Sequence, residues 1–221
     1  MVQKVTYMRS RLFFQVLVSL IVTALVALPA AARLIKPATQ TILVFGDSLS
    51  AGYGIPQNQS WVNLLQTRLT QQKLPYTVIN ASISGETTSG GLARFSEAIA
   101  THKPSIVILE LGANDGLRGL PINEMRSNLN NMILQSKAAK TKLVLVGMKI
   151  PPNYGQKYSR DFSASYAILA KQHKIKLVPF LLDGVAGKPS LIQDDGLHPV
   201  ATAQLKLLDN VWPKLEKLFN E

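Results

Sequence analysis

Two almost uninterrupted apolar runs, Ile106-Val-Ile-Leu109 and Leu143-Val-Leu-Val146, constrain this chain more than any other feature. A strand that faces water on one side alternates apolar with polar residues, whereas a run that is apolar at every position has both faces covered. Further runs of strand length extend the series to Thr41–Phe45, Thr77–Asn80, Ser105–Leu111, Lys142–Met148 and Lys176–Pro179. Between and after them, apolar residues fall at helical spacing over Ser60–Gln72, Gly91–Thr101, Ile122–Ala139, Ser159–His173 and Ala201–Phe219. Strands alternating with helices predict an α/β domain, a three-layer α/β/α stack around a parallel sheet of about five strands. No internal repeat, low-complexity tract or linker interrupts it.

The 221 residues suit one domain with a substantial core. Residues 1–32 differ in kind. Lys4, Arg9 and Arg11 precede an apolar run from Leu12 to Leu28, and Pro29-Ala30-Ala31-Ala32 follows. These are the three regions of a secretory signal peptide, with cleavage expected after Ala32 and the folded domain at 33–221. The alternative is an uncleaved anchor, because the run approaches the roughly 18 residues that span a bilayer. Gln15, Ser19 and Thr23 interrupt the run and small residues follow it, which favours cleavage. Nothing after residue 32 is long and apolar enough to cross a membrane, so a soluble, monomeric, periplasmic or secreted protein is expected.

The chain has no cysteine, which excludes disulfides, thiolate catalysis, Cys-ligated zinc and a lipid-modified cysteine. Its formal charge is +11; removing residues 1–32 takes three positive charges and no negative ones, leaving about +8. The basic residues are scattered over predicted helix faces. Such a surface favours anionic lipid or acidic substrates by long-range attraction, and transient contact with a membrane surface. A nucleic-acid site would need basic clusters interleaved with aromatics, and none is found.

In a parallel α/β sheet, ligand sites gather where the carboxyl ends of strands lead into helices. Ser48 follows the first strand in Gly46-Asp47-Ser48-Leu49-Ser50, Gly85 follows the second, and Asn114 follows the third in Gly112-Ala113-Asn114-Asp115. The loop Ile150-Pro-Pro-Asn-Tyr154-Gly155 follows the fourth, and Asp195-Gly-Leu-His198 the fifth. A serine hydroxyl becomes a nucleophile when an imidazole takes its proton and a third group fixes the imidazole tautomer. Ser48 reads as that nucleophile or as a plain helix cap; the setting lacks the Gly-x-Ser-x-Gly elbow of α/β-hydrolases. Asp47 reads as a turn-stabilising carboxylate. Of three histidines, His102 and His173 sit in polar settings typical of exposed helix ends, so His198 is the candidate base. Asp195, three residues before it across a glycine, is the candidate orienter, with Asp194 a less favourably directed second. Candidate oxyanion donors are the backbone N–H groups of Ser48 and Gly85 and the side-chain amide of Asn114, each equally readable alone as an ordinary loop residue.

Taken in order, Gly46-Asp47-Ser48-Leu49-Ser50, Gly85, Gly112-Ala-Asn114-Asp and Asp195-Gly-Leu-His198-Pro resemble the four motif blocks of the SGNH (GDSL) hydrolase superfamily. Asn80-Ala-Ser-Ile-Ser-Gly85, Gly91-Leu-Ala-Arg94, Asn114-Asp-Gly-Leu-Arg-Gly119, Pro152-Asn-Tyr-Gly155 and Gln193-Asp-Asp-Gly-Leu-His-Pro199 further resemble its bacterial periplasmic thioesterase/arylesterase/lysophospholipase group. The resemblance covers nearly everything from residue 41 onward. It implies a flavodoxin-like fold, Ser48 as nucleophile, His198 as base, Asp195 as its partner, and an oxyanion hole from Ser48, Gly85 and Asn114. It also implies that Ile150 contacts an acyl chain. Two departures are Glu86, where relatives carry Asp, and Ala113, where a second Gly is common; the latter bears on chain-length preference.

The chemistry so implied is hydrolysis of acyl esters and thioesters through an acyl-enzyme, with lysophospholipids or simple esters as substrates and neither metal nor organic cofactor required. Two alternatives stay open: carbohydrate O-deacetylation on the same fold, which would want an acetyl-sized pocket, and a non-catalytic lipid or carbohydrate binder. The complete Ser48, Asp195 and His198 set argues against the binder.

Overall fold

A computed structural model describes residues 39–219. The expected signal peptide, and with it the boundary at residue 32, lies outside those residues. Five strands, β1 (Gln40–Gly46), β2 (Tyr76–Asn80), β3 (Ile106–Glu110), β4 (Lys142–Val146) and β5 (Lys176–Val178), form one sheet in the order β2-β1-β3-β4-β5. All four pairings are parallel. This is the order of doubly wound, flavodoxin-like sheets, whose ligand crevice opens where the winding reverses, between β1 and β3.

Seven α-helices accompany the strands among the described residues: α1 (Ser48–Ala51), α2 (Trp61–Gln71), α3 (Thr88–His102), α4 (Ala113–Leu117), α5 (Ile122–Ala138), α6 (Gln156–His173) and α7 (Gln204–Leu215). α2 packs with α7, and α5 packs between α3 and α6, so the sheet is sandwiched. Each helix turns one stripe inward. α2 buries Trp61, Val62, Leu65 and Leu69; α7 buries Leu207, Leu208, Val211 and Leu215. β3 is buried at all five positions, as its unbroken apolar run requires. That burial extends to its last residue, Glu110, which carries no apolar side chain.

Helix starts follow local hydrogen bonding. Ser60 Oγ accepts from the Asn63 N–H ahead of α2 and Thr87 Oγ1 from the Gly90 N–H ahead of α3. The Thr87 cap starts α3 before the expected Gly91. Four helix or turn exits place lysine in the left-handed region: Lys73, Lys103, Lys140 and Lys174, with φ between 42° and 58°. The last expected helix is broken, a 3₁₀ turn at Ala201–Ala203 preceding α7 and another at Glu216–Leu218 following it. One expectation is corrected: His173 is buried, 9 % exposed, with Nε2 2.7 Å from Asn130 Oδ1. α6 runs to its end against α5, so its last turn is covered.

Candidate active site

Strand register sets the site. Gly46 pairs with Glu110, so the chain leaves β1 and β3 side by side at the crevice. A Cβ on Gly46 would lie 2.5 Å from Glu110 Oε2 and 2.8 Å from its carbonyl oxygen, so glycine alone fits this crossing. Asp47 then caps α1, its Oδ1 accepting the Leu49 N–H at 3.0 Å. Ser48 is therefore the first helical residue, and α1 ends after one turn at Gly52, φ 76°. The Ser48 N–H belongs to the first turn, where no intrahelical acceptor exists.

The loop after β5 brings Asp195 and His198 to Ser48. An antiparallel bridge joins Ile192 to Pro199, and the Gln193 N–H donates to the His198 carbonyl at 2.7 Å. Within that loop Asp195 Oδ1 accepts the N–H groups of Leu197 (2.9 Å) and His198 (3.0 Å). The His198 and Leu197 backbone donors hold the Asp195 carboxyl down at about 2, so it stays ionised through the neutral range. Its Oδ2 lies 2.6 Å from His198 Nδ1, and His198 Nε2 lies 2.8 Å from Ser48 Oγ. A carboxylate can only accept, so Nδ1 carries the proton and Nε2 is free to receive one from Ser48. Asp195, not Asp194, meets the imidazole. The Tyr53 ring stacks on it with centroids 4.5 Å apart.

Ser48, Gly85, Asn114, Ile150 and His198 all line one cavity of about 700 Å³. Gly85 turns there with φ 80°. The Asn114 amide is pinned, Nδ2 donating to the Glu86 carbonyl (3.0 Å) and to Asp47 Oδ2 (3.2 Å), so it faces the cavity in a fixed direction and would have to share a proton with any oxyanion. Glu86 forms an ion pair with Arg94, whose guanidinium lies 3.9 Å over the Phe45 ring. Away from Ser48 the walls turn apolar, with Leu117, Met148, Ile150, Phe180, Leu182 and Ile192. Ile150, 8 % exposed, packs against Gly116, where a Cβ would meet its Cγ2 at 2.5 Å. Among the described residues no group of three or more His, Cys, Asp or Glu side chains is placed to hold a metal ion.

Asp195, His198 and Ser48 thus stand in line at the mouth of an apolar cavity on a doubly wound sheet. Residues 44–204 match the model of the GDSL-like Lipase/Acylhydrolase family. The chain belongs to that family. It is 48 % identical to the esterase TesA of Pseudomonas aeruginosa, over 83 % of this chain and 92 % of that protein. It is 40 % identical to thioesterase 1/protease 1/lysophospholipase L1 of Escherichia coli K12, over 83 % and 86 %. Its fold matches the crystal structure of the psychrotrophic esterase EstA from Pseudoalteromonas sp., inhibited by monoethylphosphonate, with a TM-score of 0.78 at 41 % identity, covering 82 % of this chain and all of that one.

Two features of this GDSL-family site escape a reading of the sequence. The first is Gln193, whose Nε2 donates to the carbonyls of Tyr53 (2.9 Å) and Pro199 (3.0 Å), joining the loop after α1 to the loop of His198. A glutamine among exposed loop residues carries no signal of such a bridge. The second is acidity near Ser48, where Asp47, Glu110 and Asp115 are all buried. Burial pushes Asp47 up to about 7 and Glu110 well above the usual carboxylate range. An acid ending an apolar strand was the available signal.

Proposed function

We propose that this chain is a serine hydrolase of acyl esters and thioesters, acting through an acyl-enzyme on Ser48. Ser48 Oγ attacks the acyl carbonyl as its proton passes to His198 Nε2, while Asp195 stabilises the imidazolium. The carbonyl oxygen becomes an oxyanion facing the N–H groups of Ser48 and Gly85 and the Asn114 amide. On collapse the leaving oxygen or sulfur takes the proton from Nε2. Water, deprotonated by the same nitrogen, then attacks the ester on Ser48; the Oγ–acyl bond breaks, Ser48 Oγ takes the proton back from Nε2, and the fatty acid leaves. The observation that carries this reading is the Asp195–His198–Ser48 chain of short hydrogen bonds opening on an apolar cavity.

Ile150 and its apolar neighbours suit an acyl chain, and a cavity of about 700 Å³ favours a chain longer than acetyl over O-deacetylation. The relatives above are named esterase and thioesterase, and one also lysophospholipase. Lysophospholipids are accordingly the proposed physiological esters, met in transient contact with a membrane surface by a monomeric protein exported on cleavage of residues 1–32. No helix among the described residues is long and apolar enough to cross a membrane. The test is hydrolysis of p-nitrophenyl esters from acetyl to palmitoyl, wild type beside Ser48→Ala. An optimum at medium or long chains that vanishes with Ser48 supports the proposal; activity confined to acetyl esters, or persisting in the variant, refutes it.

A further inference from the structure

Glu110 is completely buried at the end of β3. Its Oε2 accepts the Ser50 hydroxyl at 2.7 Å and the Asp47 N–H at 3.3 Å, while Oε1 has no hydrogen-bond partner among the described residues. The titratable groups that face it are both acids: Asp47 in the turn after β1, and the Tyr166 hydroxyl from α6, which donates to the Leu111 carbonyl at 3.0 Å. Arg94 from α3 is engaged by Glu86, and no cation hydrogen-bonds to Glu110 among the described residues. A carboxylate without water or a cation is strongly disfavoured and takes up a proton. Of the two neighbours, Asp47 has a donor on each oxygen, the Leu49 N–H on Oδ1 and the Asn114 amide on Oδ2, whereas both donors to Glu110 fall on Oε2 and Oε1 has none, so the charge settles on Asp47 and the proton on Glu110.

The groups Glu110 holds flank Ser48, one residue before it and two after. We propose that Glu110, as a neutral carboxylic acid, is a positioning residue that clamps the nucleophile turn and so fixes the Ser48 hydroxyl against His198. This rests on Ser48 being the nucleophile. An apolar side chain would fill the same space, yet it would leave the Ser50 hydroxyl and the Asp47 N–H unpaired in the only helical turn that carries Ser48. Burial of an acid is unfavourable on its own, and this contact is what offsets it.

The test compares wild type, Glu110→Gln and Glu110→Ala by steady-state kinetics, by the rate at which an organophosphonate ester labels Ser48, and by infrared difference spectra at pH 7. In Glu110→Ala both kcat and the labelling rate are expected to fall about tenfold to hundredfold, the scale of a misplaced reacting group, with KM changed less than about threefold. Glu110→Gln keeps the shape without the charge and is expected to restore the rate to within about fivefold of wild type. The carbonyl stretch of a protonated carboxylic acid should be present in wild type and missing from Glu110→Gln. Wild-type kinetics in Glu110→Ala, a Glu110→Gln as slow as Glu110→Ala, or no such band would overturn the proposal. Where Glu110→Ala does not fold, Ser50→Ala removes only the hydroxyl contact, and unchanged kcat there overturns it equally. Turnover that survives Ser48→Ala would instead defeat the nucleophile assignment, and the infrared band would still report the state of Glu110.

Discussion

Gln193 offers a test of how the two halves of the relay are kept together. Ser48 and His198 are 150 residues apart in sequence and meet at 2.8 Å. Gln193 spans the loops that carry them with two hydrogen bonds from one amide nitrogen, to Tyr53 and to Pro199. Gln193→Met keeps the length of the side chain and removes both donors. At about 0.5–1.5 kcal/mol for each hydrogen bond, the aligned arrangement loses about 1–3 kcal/mol. That corresponds to about fivefold to 150-fold in the ratio of molecules with His198 in reach of Ser48 to those without. The Gln193 N–H to His198 carbonyl bond and the Ile192–Pro199 bridge are backbone contacts and survive, so the lower half of that range is expected. The assay is kcat and KM on a medium-chain p-nitrophenyl ester, with circular dichroism to verify the fold. The expected outcome is a kcat reduced about fivefold to thirtyfold with KM nearly constant, because Met148, Ile150 and Phe180 on the acyl side are untouched. An unchanged kcat would refute the bridging argument; a rise in KM alone would mean that Gln193 contacts substrate instead.

Three further outcomes are expected. Tyr53→Phe should keep wild-type kcat, since the ring alone meets His198, while Tyr53→Ala should lose about threefold to tenfold; equal losses in both, read from the same kinetics, would place the role in the hydroxyl. Raised carboxyl groups at Asp47 and Glu110 contribute stability that is present below about pH 4 and is lost as pH rises, for Asp47 through about 7. Asp195 runs the opposite way, its contribution persisting until pH falls toward 2. The melting temperature of wild type should therefore fall more between pH 5 and pH 8 than that of Glu110→Gln, and parallel curves in differential scanning fluorimetry would contradict this. Lys140→Gly relieves a left-handed lysine after α5 and is expected to stabilise by about 0.5 kcal/mol, the gain in backbone strain exceeding the lost attraction to the helix end; a lower melting temperature would show the charge dominates.

The sheet is legible in the sequence because burial on both faces leaves an unmistakable mark: β3 and β4 are apolar at nearly every position, and the polar loops between elements fall at the same edge. The short helices α1 and α4 are not, since one turn of helix shows no periodicity and is made by capping at Asp47 and by the glycine at 112. His173 reads as exposed from its Lys-Gln-His-Lys surroundings, but a helix is judged face by face, and its own face is the one against α5. At the site, Ser48, Asp195 and His198 stand out because each pairs a reactive side chain with a turn signal. Gln193 and Glu110 act through contacts with residues 140 and 60 positions away, and only the folded chain brings those partners into view.

A covalent intermediate on Ser48 is tested by mass spectrometry of the protein quenched within the first turnovers of a p-nitrophenyl decanoate reaction. An acyl adduct that maps to the peptide containing Ser48, accumulates in wild type, and is absent from Ser48→Ala and His198→Ala is the expected result. Ester turnover with no adduct, or an adduct on any other residue, would contradict it.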